Sequence, residues 1–210
     1  MQLNYATAFA GAMLMGALTA LPSAASGDTL ANARSATAIF TDPTAALAAG
    51  YTLLTDASDL ACIDQPGLGA MGVHYANGPL IQSGTLDAAR PQALVYEVQP
   101  SGRVQLGALE YVVFQSDWDA KHGGPPTLFG QKFMLTPADN RFGLPAFYSL
   151  HVWIWKHNPK GTFEMWNPDV HCGGGRDVAQ SDDAAPQAAT TSPMSFTCML
   201  DAEGEQAPTE

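Results

Sequence analysis

The sequence predicts a mainly β, α+β protein: an antiparallel sheet forming a barrel or sandwich, with one or two short N-terminal helices packed outside it. Three observations carry this expectation. Leu150-His151-Val152-Trp153-Ile154-Trp155 alternates with the period of two that places neighbouring side chains on opposite faces of a strand. The β-rich runs Ala93–Val98 and Val104–Phe114 flank Pro100-Ser101-Gly102, which reads as an antiparallel hairpin. Helix signals come early: Asp42-Pro43 offers an N-cap and a first-turn proline ahead of an alanine run.

Taken in order, residues 28–41 are alanine-rich and mildly helical. A helix is expected over 43–49, stopped by Gly50, with a short extended piece at 51–54. Residues 66–72 form a glycine-rich loop in which Gly67, Gly69 and Gly72 match GxGxxG. No clear strand precedes it, no helix follows, and the Lys-Ser/Thr of a phosphate loop is missing, so its expected role is a tight turn that delivers Val73-His74-Tyr75 to the interior. Asn77-Gly78-Pro79 reads as a turn. After the hairpin come a polar loop at 117–127, a short strand or irregular piece at 128–135, and a loop at 139–145. The central strand is expected over 147–155, ended by Asn158-Pro159-Lys160-Gly161, with an aromatic cap at 163–168.

Residues 1–25 contain no Lys, Arg, Asp or Glu and run from an apolar stretch to Leu21-Pro22-Ser23-Ala24-Ala25, the pattern of a signal peptide cleaved after Ala25. The expected organisation is a signal over 1–25, one globular domain over 26–172, and an acidic, largely disordered tail over 173–210 in which 194–200 is the one apolar island. Beyond Cys172 there are one basic residue (Arg176) and seven acidic ones, −6 of the chain's −11. This acidity argues against nucleic acid and anionic membrane surfaces as partners and fits a periplasmic or secreted protein that leaves the membrane on signal cleavage. An oxidising compartment implies a disulfide among Cys62, Cys172 and Cys198; Cys62–Cys172 is favoured because both flank the patterned region, with Cys172–Cys198 as the rival.

The candidate site rests on three polar groups in apolar surroundings: His74, Glu110 and His151. Two imidazoles and a carboxylate are the donor set of a 2-His-1-carboxylate centre for iron, manganese, zinc or copper, and a shared ion would offset the cost of burying each. A His–Glu hydrogen bond that fixes a tautomer in a packed core is the structural alternative. A third reading makes Tyr75, Tyr111, Trp153 and Trp155 the walls of a pocket for a small apolar or sugar-like ligand. No Gly-x-Ser-x-Gly elbow is present to suggest nucleophilic catalysis, and His122, His157 and His171 read as solvated.

Several stretches occur together: Gly69-Ala70-Met71-Gly72-Val73-His74-Tyr75, Arg90-Pro91-Gln92-Ala93-Leu94-Val95-Tyr96-Glu97, Leu109-Glu110-Tyr111, Pro126-Thr127-Leu128-Phe129-Gly130, Leu150-His151-Val152-Trp153-Ile154-Trp155, then Asn158-Pro159, Trp166-Asn167-Pro168 and Cys172. This set resembles an uncharacterised family of exported bacterial proteins over roughly residues 35–172. The resemblance implies a single exported domain over that span and carries no known activity.

Overall fold

The computed structural model describes residues 29–173. The expected signal peptide, the tail beyond Gly173, the island at 194–200 and Cys198 lie outside the described residues.

Helix α1 (Leu30–Thr37) starts where the Thr29 side chain accepts from the Asn32 amide. After a 3-10 turn at Ala38–Thr41, α2 (Pro43–Ala48) begins as its sequence dictates, with Asp42 accepting from the Thr44 amide and proline in the first turn. Strand β1 (Thr52–Leu54) follows. Next, β2 (Cys62–Gln65) and β3 (Gly69–Ala76) form an antiparallel hairpin, so a strand does precede the glycine loop. Its run Cys62-Ile63-Asp64-Gln65 is too short and too polar to announce itself by alternation. Asn77-Gly78-Pro79 opens a one-turn helix, α3 (Gly78–Gln82), rather than a simple turn: the Asn77 side chain caps Leu80 N, and the proline fills a position whose N–H has no partner anyway.

The expected hairpin of β4 (Ala93–Val98) and β5 (Val104–Phe114) is present. The polar region after it begins with α4 (Gln115–Asp119). The short strands β6 (Thr127–Leu128), β7 (Gln131–Lys132) and β8 (Met134–Thr136) follow, and β9 (Phe147–Val152) is the last. Seven strands make one sheet in the order β1-β3-β4-β5-β9-β8, with β2 also paired to β3, and every pairing is antiparallel. The path ends at β1 and β8 without closing, and the second sheet is only the β6–β7 pair, so the barrel expectation is not met among the described residues. Two short edge strands of three residues each leave little to pair across a closure.

The faces of the large sheet have different jobs. One carries Leu94, Tyr96, Leu109, Tyr111, Val113, Tyr148, Leu150 and Val152, and packs against Ala33 and Ala46 of the first two helices as the main core. Each such fully buried side chain contributes on the order of 1.5–3 kcal/mol through removal of apolar surface from water. The other face holds two small apolar clusters, one of Ala70, Val95, Ala108, Trp153 and Val170, the other of Ala76, Ile81 and Ala93. The polar residues lie on this second face.

The last strand stops at Val152, three residues short of expectation. Trp153 N turns away to donate to Thr162 O at 2.8 Å, and the amides of Trp155 and Lys156 both donate to Gly107 O, at 3.1 and 3.0 Å. The alternation breaks there, and Trp155 goes to the main-core side: its Nε1 donates to Thr37 Oγ1 at 3.2 Å and the Arg34 guanidinium lies 4.1 Å over its ring. The Cys62–Cys172 disulfide is formed and ties β2 to the chain's closing segment.

Candidate metal centre

His74 comes from β3, Glu110 from β5 and His151 from β9. Glu110 and His151 are direct partners across the β5–β9 ladder. His74 is one strand further away: β4 stands between, with Val95 opposite His74 and Ala93 opposite Glu110. Residues facing each other in a ladder share a sheet face. The small Ala93 therefore leaves space for the longer side chains of β3 and β5 to meet above β4.

They do meet. His74 Nε2 lies 3.6 Å from Glu110 Oε2 and 3.5 Å from His151 Nε2, and His151 Nδ1 lies 3.6 Å from Glu110 Oε1. All three residues are buried, and one ligand atom from each can be chosen so that the three lie within 4.8 Å of one another. The two imidazole planes stand nearly perpendicular, at 88°.

These separations bear on both chemical readings. A hydrogen bond to a carboxylate closes to about 2.7–2.9 Å, and a contact at 3.6 Å is not one. Two donors on a tetrahedral ion with bonds of about 2.1 Å stand about 3.4 Å apart. The cluster could hold an ion, and of its three contacts only the 3.5 Å one between the imidazoles is within reach of a long hydrogen bond.

The electrostatics follow from burial. Desolvation pushes both imidazoles down to about 4, with Glu110 pulling His74 partly back up. Both rings are thus neutral at physiological pH, the state a metal ligand requires. Desolvation raises the Glu110 carboxyl, against the opposing pull of His74 and of a hydrogen bond from Ser149. A shared cation would offset the cost of burying a carboxylate beside two neutral imidazoles.

The cluster lies in the wall of a cavity of about 240 Å³. Thr136, Phe147 and Ser149 extend the wall along β8 and β9. The loop after β8 adds Asn140, Arg141 and Phe142, and the closing segment adds Met165 and Trp166. That closing segment is positioned by the sheet: Ala70 N donates to Asn167 O at 3.1 Å and Asn167 N to Ala70 O at 3.0 Å. The loop is fastened by Arg141, whose Nε and Nη2 donate to Asp56 Oδ2 at 3.2 and 2.8 Å, while Ala57 N donates to Arg141 O at 2.9 Å.

The expected aromatic pocket does not assemble. Tyr111 and Tyr75 lie on the main-core face, Tyr111 donating to Ala88 O at 2.7 Å and Tyr75 packed edge-on against Tyr96 with ring centroids 5.3 Å apart. Trp155 joins that side as described, and Trp153, on the polar face, is buried in an apolar cluster with Nε1 on Glu164 O. None of the four lines the cavity; Trp166 does. His122, His157 and His171 are exposed, and His122 stacks on Trp118 with centroids 3.7 Å apart.

Sequence reading missed Ser149 and Arg141. Ser149 could have been found, two residues before His151 on the same strand face; Arg141 had no local signal, because Asp56, which orients it, is 85 positions away. Among the described residues no other His/Cys/Asp/Glu group converges like this one, and no helix is long and apolar enough to cross a membrane. Compared with protein-family models, curated proteins and solved structures, the chain finds no match.

Proposed function

We propose that this chain is an exported metalloprotein in which His74, Glu110 and His151 bind one divalent transition metal, iron, manganese, zinc or copper, in the wall of a small cavity. The observation that carries the reading is the convergence of the three buried groups, one donor atom from each lying within 4.8 Å of the others, with the Glu110 oxygens 3.6 Å from both imidazoles, too long for hydrogen bonds. Three protein ligands leave coordination positions open toward the cavity, as in sites that handle a ligand, whereas structural zinc sites use four. Such an ion supplies Lewis-acid polarisation to whatever small molecule enters. The disulfide supports export, since such bonds persist in oxidising compartments. The uncharged leader over 1–25 points the same way.

The test is elemental analysis of untagged protein purified without chelators, beside the double variant His74→Ala, His151→Ala. Near-stoichiometric metal in the wild type that disappears in the folded variant is the expected result. A wild type that stays metal-free after incubation with each of the four ions would remove the proposal.

A further inference from the structure

We infer that the cavity takes a small organic carboxylate whose charge is shared between the bound metal and Arg141. This inference rests on the metal reading and deepens it by naming the ligand class.

The first argument is charge. A dication held by two neutral imidazoles and one carboxylate keeps a net charge of +1. That charge is buried, and an uncompensated buried charge is costly, so the open positions favour an anionic ligand over a neutral one.

The second argument is Arg141, the only Lys or Arg in the cavity wall among the described residues. Its partner Asp56 is buried and fixes it by one edge, through Nε and Nη2. Nη1 makes only a long bond of 3.4 Å, to Asp64 O. A guanidinium pinned on one side retains N–H donors in a rigid fork, the geometry that suits a carboxylate.

The third argument is the remainder of the wall. Met71, Phe142, Phe147, Met165 and Trp166 are apolar. They favour a ligand with a hydrocarbon body over a compact, strongly hydrated inorganic anion. The volume of about 240 Å³ accommodates a small organic acid.

Calorimetric titration of zinc-loaded protein tests this. The probes are propionate, succinate, the neutral isostere propionamide and inorganic phosphate. At least one carboxylate is expected to bind, at least tenfold more tightly than propionamide or phosphate, and at least tenfold more weakly to zinc-free protein. Arg141→Gln should weaken that carboxylate at least tenfold with zinc content unchanged. Zinc-loaded protein that ignores both carboxylates, prefers phosphate, or binds the amide equally well would overturn the inference, and these readings need no variant. So would an Arg141→Gln protein that binds like wild type. Failure to load zinc shows in the metal content alone, and the titration then uses whichever of the four ions does load; if none loads, the metal reading falls and takes this inference with it.

Discussion

Metal should raise the thermal stability of this protein by an amount that can be worked out beforehand. The perturbation is zinc added to chelator-treated protein at about a hundredfold excess over its dissociation constant. One donor atom from each residue already lies within 4.8 Å of the others, against about 3.4 Å on a tetrahedral ion, so loading requires side-chain movements of about an ångström. A ligand that binds only the folded state at that excess stabilises it by about 2.7 kcal/mol. The described unit runs from residue 29 to residue 173. At about 2.1 cal/mol/K per residue, its unfolding entropy is about 0.3 kcal/mol/K, and the gain corresponds to a rise in Tm of about 9 °C. The assay is differential scanning calorimetry of wild type and of His74→Ala, His151→Ala, each with and without zinc. The rise should appear in wild type and vanish in the variant. An equal rise in both would place zinc elsewhere and refute the reasoning; so would folded wild type with no rise at all.

Three further outcomes follow from the same structure. Gly69 sits at φ +104°, and a Cβ there would land on the Asn167 carbonyl and within 2.5 Å of Pro168 Cα, so Gly69→Ala should cost at least about 1–3 kcal/mol of stability by urea unfolding; a loss under about 0.5 kcal/mol would show that the closing segment is not held against β3. The disulfide closes a loop of sequence separation 110, and replacing both Cys62 and Cys172 by Ser should lower stability by about 4–5 kcal/mol in the chain-entropy view, read as an earlier guanidinium midpoint; an unchanged midpoint would contradict it. Burial acts to raise the Asp56 carboxyl, but hydrogen bonds from Arg141, Leu60 and Ser58 together with the Arg141 charge outweigh it and leave its pKa below 3.8. The unfolded state then binds more protons than the folded one as pH falls below 3.8, so the stability advantage of wild type over Asp56→Asn should be full above that pH and shrink as pH drops through the folded-state value; an advantage that grows with acid would reverse the assigned sign.

The sequence by itself determined the local elements and the identity of the polar anomalies. Asp42-Pro43 starts a helix wherever it occurs in this context, because a cap and a preset φ are properties of neighbouring residues. The β4–β5 hairpin was legible for the same reason: its turn and both runs are contiguous in the chain. His74, Glu110 and His151 stood out as polar groups on apolar strands, and the structure brings all three together. Only the tertiary structure could decide their spacing, because it depends on which strand lies between them and on Ala93 being small there. The aromatic residues show the limit of alternation. Period two holds only while the ladder continues, and once the amide of Trp153 left it for Thr162, Trp155 crossed to the opposite face. Arg141 and Met165 reach the cavity on loops fastened by partners far away in sequence, Asp56 and Ala70. Such residues carry no periodic mark, because long-range contacts, rather than their own neighbours, fix their positions.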